Sequence, residues 1–345
     1  MHDEFYMQLA LDEAWKYQGL TYPNPAVGAV VLHNGRIVSI EAHQKAGTSH
    51  AEVLALLSAY ESMQNSKIDF DPMNAQLAHD FLFSLPKNFF SECAIYVTLE
   101  PCSHTGKTPS CASLLQKLVL KKIVIGTKDP IVGHDDGISI VGRGAPQGHF
   151  FQGVPTPTIK VGVLAQACKV LLEPFLIWQD SAFVLFKLAQ TSNGRIGGGY
   201  LSSKASLNHV HQLREVCDTL LIGGNTVRVD RPTLDCRFSE GKAPNVCIYS
   251  KQDDFDREIP LFSISDREVC ITNNLDFLCK PSFVLVEGGE GMLNALKEKI
   301  DYLLIYQTPK LSTNSLTYNA TMNLQFLHQR KIDVDMMIWS KQIGH

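Results

Sequence analysis

Apolar residues near the start of the chain recur at helical spacing. Tyr6, Leu9, Ala10, Ala14 and Tyr17 fall on one face and predict a helix over 3–18. VGAVVL (27–32) and RIVSIE (36–41) read as two strands, and Asn34-Gly35 between them suits the left-handed backbone of a tight hairpin. Thr48 or Ser49 can cap the next apolar helix, AEVLALLSAYESM, whose first turn carries His50 and Glu52. AIYVTL (94–99) and KIVIG (122–126) are further strands, with a helix near CASLLQKL between them. Such alternation of strand and helix is an α/β pattern, with helices packed on a sheet. After a helix-like segment near 164–178 a second α/β series begins: FVLFKLA (183–189), the helix ASLNHVHQLREVC, DTLLIGG (218–224), NVCIYS (245–250), FVLVEGG (283–289), a helix at 291–299 and DYLLIY (301–306).

Two stretches interrupt the alternation. Residues 61–93 are mixed in composition and contain Pro72 and Pro86, which predicts an insertion with some helix and no assignable role. Residues 130–158 are rich in Gly and Pro and read as loops at the edge of the first domain. The pattern divides the chain into domains 1–179 and 180–345, linked by the helix near 164–178. A length of 345 residues with 45% hydrophobic content fits two such cores.

Charge narrows the partners. Thirty-one basic and 35 acidic residues leave a formal charge of -4, with no long basic run to track a nucleic-acid backbone, so a small-molecule substrate is favoured over a polymer. The acidic, amphipathic first residues do not resemble a secretory leader. The most apolar later stretch, VGVLAQACKVLLEPFLIW, holds Lys169, Glu173 and Pro174 and makes a poor membrane span. The expectation is a cytoplasmic protein. Nine scattered cysteines do not form a disulfide framework and read as core filler or as chemistry.

His50-Ala-Glu52 says little alone, but it gains meaning from Cys102 and Cys111. One imidazole and two thiolates are a ligand set that holds zinc tetrahedrally and leaves a fourth position for water. Zinc lowers the pKa of that water to about 7, which makes hydroxide available for attack on a ring carbon bearing an amino group. A carboxylate beside the metal must then move a proton to the departing amine, and Glu52 suits that task. His50 starts one predicted helix while Cys102 and Cys111 flank the entry to another, so both thiols are expected to lean towards thiolate. In the second series, FVLVEGGEGMLNAL reads as a strand, a glycine turn and a helix able to approach a phosphate. GGNTVRVDRPTLDCR places Thr226, Asp230 and Arg237 on one strand-exit loop.

Eight residues, SHTGKTPS, separate the two cysteines, more than the usual two of zinc deaminases. PCSHTGKTPSC, with YPNPAVG and AHQKAGTSHAE upstream, closely resembles the deaminase domain of the bifunctional deaminase/reductase family of riboflavin biosynthesis. KLAQTSNGRI, GGNTVRVDRPTLDCR, FVLVEGGEGMLNAL and YQTPKL resemble the family's reductase domain. The resemblance implies a cytidine-deaminase-like α/β/α domain followed by a dihydrofolate-reductase-like α/β domain. It implies one Zn2+ per chain on His50, Cys102 and Cys111, with Glu52 as proton donor. Asn24, His43, His104, Lys107 and Asp129 would hold the substrate, a phosphoribosylamino diaminopyrimidinone. In the second domain, NADPH would lie against Ala189, Tyr200, Ser202, Thr226, Asp230, Ser250, Gly289, Glu290 and Gly291. Gly198, Arg214, Leu234, Arg237 and Glu287 would face the deaminated product, whose ribose is reduced to a ribityl chain. Such enzymes assemble as homo-oligomers, dimers or tetramers. The chain departs from the family at Ile131, where Asn is usual, at Asn193 for Asp, at Tyr200 for Trp and at Arg231 for a small or acidic residue.

Three other readings share these motifs: a zinc deaminase with a non-catalytic C-terminal domain, a nucleic-acid-editing deaminase, and a structural zinc site. The editing enzyme would need a basic, aromatic groove, which the acidic balance opposes. The structural site would need a fourth protein ligand, for which His104 is the close candidate.

Overall fold

The strands and helices expected from the apolar pattern form in the computed structural model, which describes residues 2–103, 106, 108–131, 136–142, 156–197, 199, 201–239 and 241–344. The chain divides into two compact units, Met1–Phe175 and Leu176–His345. The first contains α1 (Asp3–Ala14), β1 (Gly28–His33), β2 (Arg36–Ala42), α2 (Ala51–Gln64), α3 (Ala75–Ser84), β3 (Cys93–Leu99), α4 (Cys111–Leu118), β4 (Lys122–Thr127), α5 (Gly137–Gly142) and β5 (Thr158–Val161). Its sheet runs β2-β1-β3-β4-β5. The β2-β1-β3 side is antiparallel and the β3-β4-β5 side parallel.

The expected hairpin closes through Asn34 and Gly35, at φ 50° and 76°. β3 is buried along nearly its whole length, which explains its unbroken apolar run. α1 lies so close to β1 that a Cβ on Gly28 would meet the Ala10 carbonyl oxygen at 1.9 Å. The buried face of α1 consists of Tyr6, Met7, Ala10, Leu11 and Ala14. Leu9 and Tyr17, expected on that face, are half-buried, because the stripe is centred on Met7, Leu11 and Ala14 and Tyr17 lies in a tighter 3-10 turn.

α2 corrects another expectation. His50 is its N-cap residue and no side chain caps it. The Thr48 hydroxyl donates to Lys45 O at 2.7 Å and the Ser49 hydroxyl to Pro72 O at 2.6 Å. Insertion 61–93 holds α3, begun by an Asn74 side-chain cap. Within the stretch expected to be loops, residues 137–142 form the short helix α5.

α6 (Ala165–Asp180) leads to the second unit, with β6 (Ala182–Thr191), α7 (Lys204–Val216), β7 (Thr219–Gly223), α8 (Gly224–Asp230), β8 (Asn245–Tyr249), β9 (Val269–Thr272), β10 (Ser282–Glu287), α9 (Glu290–Leu296), β11 (Tyr302–Thr308), β12 (Leu324–Ile332) and β13 (Asp335–Gln342). The sheet order is β12-β13-β11-β6-β10-β7-β8-β9. Strands from β11 to β9 are parallel, and β13 and β12 add an antiparallel edge. Val184, Phe186, Leu221, Val284, Val286 and Leu296 belong to one core cluster. All nine cysteines are free. Among the described residues no helix is long and apolar enough to cross a membrane.

Candidate functional site

In the first unit, chemistry gathers where β3 ends and two helices begin, the crevice an open α/β sheet offers at its carboxyl edge. His50 precedes the first residue of α2, Cys111 is the first residue of α4, and Cys102 lies three residues past β3. His50 Nδ1 is 3.6 Å from Cys102 Sγ and 3.4 Å from Cys111 Sγ. All three candidate ligand atoms lie within 4.8 Å of one another. A tetrahedral zinc about 2.3 Å from sulfur and about 2.0 Å from nitrogen separates those two atoms by roughly 3.5 Å, so the donor set fits the ion.

Thr108 fixes the imidazole. Its Oγ1 lies 3.0 Å from His50 Nε2. With Nδ1 turned to the sulfurs, Nε2 carries the hydrogen and donates to the Thr108 hydroxyl. The sequence reading passed over Thr108, because a threonine in a polar loop has no distinctive local pattern.

The thiols divide their charge. A hydrogen bond from Cys111 pulls Cys102 down to about 4 against desolvation, with help from His50. The same bond, together with burial and the nearby Glu52, raises Cys111 well above the ordinary thiol range. In the metal-free pair the hydrogen bond leaves the negative charge on Cys102, while burial, Cys102 and Glu52 oppose a second charge on Cys111. Desolvation opposes charge on His50, yet the Cys102 sulfur raises it. Glu52, in the first turn of α2 and 4% exposed, is pushed up to about 7 chiefly by burial. It hydrogen-bonds the Cys111 thiol, which puts a carboxyl able to gain or lose a proton near neutrality against the donor set.

Asn24 and His43 form a second layer. Asn24 Nδ2 donates to His43 Nε2 at 3.1 Å and His43 Nδ1 donates to Ser49 O at 3.1 Å. Burial and then His50 lower His43 to about 4, so it stays neutral and can accept from Asn24. The rings of His43 and His50 meet edge to face at 5.3 Å. Asp129 follows β4 and its carboxylate accepts from Ile131 N at 3.0 Å. Glu100, which sequence reasoning also missed, accepts from Asp129 N at 3.3 Å and from Ile138 N at 2.9 Å, tying the Asp129 loop to α5. His104 and Lys107 lie outside the described residues.

The second unit encloses a cavity of about 850 Å³ whose wall includes Ala189, Ser202, Thr226, Asp230, Gly289, Arg214, Leu234, Arg237 and Glu287. That volume suits a small-molecule site. Ser250, Glu290 and Gly291 are not on its wall: Ser250 backs Gly224 and its hydroxyl donates to Gln252 O. Thr226 and Asp230 stand on α8, not on a loop as expected, and Arg237 follows in the loop after it. Gly198 and Tyr200 lie outside the described residues.

Glu287 is the electrostatic centre of this cavity. Its Oε1 accepts from Arg214 Nε at 2.6 Å and its Oε2 from Lys187 Nζ at 2.9 Å. Desolvation works against its charge, but the two cations hold the carboxyl well below the usual range. Lys187 also lines the cavity and was missed. Its signal was a lone charge inside an apolar strand, set directly opposite Glu287 in the β6–β10 register. Asn193 has a structural reason: its amide donates to Ser312 O and accepts from Ser312 N and the Thr191 hydroxyl, a set that an ionised Asp could not complete. Arg231 pairs with Asp256 at 2.7 Å on the surface.

Comparison with known proteins agrees with this division. The family model of the cytidine and deoxycytidylate deaminase zinc-binding region matches residues 1–127, and that of the RibD C-terminal domain matches residues 182–336. The riboflavin biosynthesis protein RibD of Aquifex aeolicus (strain VF5) is 33% identical over 310 residues, covering 88% of this chain and 73% of that protein. RibD of Synechocystis sp. is 31% identical over 242 residues, covering 67% of this chain and 55% of that protein, so there the match spans little more than half the relative's length. The structure of a diaminohydroxyphosphoribosylaminopyrimidine deaminase/5-amino-6-(5-phosphoribosylamino)uracil reductase from Thermotoga maritima shares the fold, with a TM-score of 0.63 at 24% identity over 99% of both chains. With a deaminase zinc-binding region and a RibD C-terminal domain in that order, and a relative one-third identical along most of its length, the chain belongs to the RibD family of riboflavin biosynthesis proteins.

Proposed function

We propose that the first unit hydrolyses the amine of 2,5-diamino-6-(5-phosphoribosylamino)pyrimidin-4(3H)-one to give the uracil and ammonia, and that the second reduces the ribosyl group of that product with NADPH. The observation that carries the first half is the spacing of His50 Nδ1 from two sulfurs, 3.6 and 3.4 Å, beside a buried carboxyl. His50, Cys102 and Cys111 would hold Zn2+, which when bound would supply a water acidic enough for hydrolysis at neutral pH. Glu52 holds a proton on its carboxyl oxygen and passes it to the leaving amine, a task its elevated pKa suits. Asn24, His43 and Asp129 orient the heterocycle, and His104 and Lys107 meet the ribose phosphate.

The second half rests on the cavity around Glu287. NADPH supplies the hydride. Ala189, Ser202, Thr226, Asp230 and the turn at Gly289 align it, with Tyr200 as a further contact. Gly198, Arg214, Leu234, Arg237 and Glu287 face the substrate, and the exposed Arg237 suits its phosphate. A cytoplasmic homo-oligomer, dimer or tetramer, belongs to the same reading. The non-catalytic and nucleic-acid alternatives are not favoured, because the family match extends over both halves.

The test incubates the purified chain with the diaminopyrimidinone phosphate, with and without NADPH, while ammonia and absorbance at the nicotinamide band are followed together. Ammonia is expected in both arms and NADPH consumption after it. Neither signal, from protein carrying zinc, ends the proposal. For the metal centre, Thr108→Val removes the acceptor of His50 Nε2 and is expected to weaken zinc binding about 10–100-fold in a chelator competition. Unchanged affinity would show that Thr108 does not hold the imidazole.

A further inference from the structure

Insertion 61–93, to which the sequence gives no role, touches the surroundings of the metal ligands along two separate routes. The first runs through Ser49, the fully buried residue before His50. Its N–H donates to Met73 O at 3.2 Å and its hydroxyl to Pro72 O at 2.6 Å. Its carbonyl accepts from His43 Nδ1. Every polar group of Ser49 is thus engaged, two by the insertion and one by the heterocycle-side histidine, and none by capping α2.

The insertion segment that receives these bonds is itself fixed. Asp71 accepts from Met73 N at 2.9 Å. Phe70 packs on Phe81 of α3 at 5.4 Å, and Phe81 meets Tyr60 of α2 edge to face at 4.9 Å. The second route reaches the last turn of α4, the helix that Cys111 begins. Lys117 donates to Leu85 O at 3.3 Å and lies 5.6 Å from the Phe83 ring centre.

We infer that the insertion is a brace for the metal-ligand pocket, holding the start of α2 through Ser49 and the far end of α4 through Lys117, with Ser49 as the positioning residue through which it acts on His50 and His43. The inference rests on the proposed zinc site. The physical reason is one of preorganisation: a ligand at a helix start keeps its geometry only if the preceding backbone is held, and here the usual side-chain cap is absent. Mutating outer-shell partners of metal ligands typically costs about 10–100-fold in metal affinity or activity.

The test compares wild type, Ser49→Ala and Phe81→Ala, the last loosening the 70–73 turn from a position outside the ligand shell. Zinc-loaded proteins are mixed with excess chelator and metal release is followed, and amide hydrogen exchange is mapped on the same proteins after metal removal. Both variants are expected to release zinc about 10-fold faster or more. Exchange should rise at 50–54 in both, while NADPH consumption with preformed deaminated substrate stays at the wild-type rate. Wild-type release rates and exchange in both variants overturn the brace, and so does exchange raised uniformly across the first unit. A wild-type chain that takes up no zinc instead ends the metal reading itself.

Discussion

Glu52→Gln is expected to retain zinc and to release ammonia about 10²–10⁴-fold more slowly than wild type, the range that positioned proton transfer contributes. The substitution conserves volume in a site that is 4% exposed, so no cavity opens. The amide can still hydrogen-bond the Cys111 sulfur that Glu52 meets, its N–H donating where that sulfur is a thiolate. What it cannot do is take up one proton and deliver another. Burial also holds the wild-type carboxyl at about 7, so replacing it with a neutral amide removes a group whose charged form was already disfavoured. Stability should therefore change little while the reaction fails. Metal content measured beside ammonia release separates this outcome from loss of the zinc site, and NADPH consumption with preformed uracil substrate should be untouched. Ammonia release at the wild-type rate would remove Glu52 from the mechanism.

The sequence made these residues legible because zinc chemistry restricts both residue type and spacing. His50, Glu52, Cys102 and Cys111 come from two short segments, and each segment starts or precedes a helix that the apolar pattern also predicts. Ser49 was not legible in the same way. A serine before a helix reads as a cap, and nothing local reveals that its hydroxyl is bound 23 residues away at Pro72. Glu100 and Thr108 are hidden for a similar reason, since their partners are brought close only by the packing of loops on β3.

In the second unit, apolar runs announced the parallel strands but not the edges. β12 (LQFLHQRKI) lies on an outer hairpin, carries a polar run over 328–331 and buries only Ile332, with Phe326 63% exposed, so its hydrophobic signal is weak. β9 is four residues long and largely unburied. α8 begins with Gly224, which reads as a turn, yet the glycine is there because a Cβ would meet Ser250 at 2.8 Å. The pairing of Lys187 with Glu287 depended on a parallel register that only tertiary structure sets.

That pairing leads to the largest stability effect. Glu287→Ala is expected to destabilise the second unit by about 3–5 kcal/mol, the cost of leaving a buried charge without its partner. Two cations are stranded at once, Lys187 and Arg214, whose side chains are 18% and 13% exposed. Arg214 keeps its bond to Asp235 O at 3.0 Å, while the Lys187 ammonium loses its carboxylate. Glu287→Gln should cost less, since its carbonyl can still accept from one cation. The double variant Lys187→Met/Glu287→Gln should recover part of the Glu287→Ala loss, because a charge and its partner leave together.

The acid limb follows from the same geometry. A carboxyl held below its unfolded pKa adds stability that is complete above about pH 4–5 and is lost as pH falls through the folded value. Wild type should thus lose second-unit stability in acid more steeply than Glu287→Gln. Calorimetry should show the second unit melting earlier in Glu287→Ala with the first unit unmoved, and NADPH consumption should vanish while ammonia release persists. A variant that melts like wild type and still consumes NADPH would mean that Lys187 and Arg214 find solvent or other partners at no cost, and that Glu287 organises neither the fold nor the cavity.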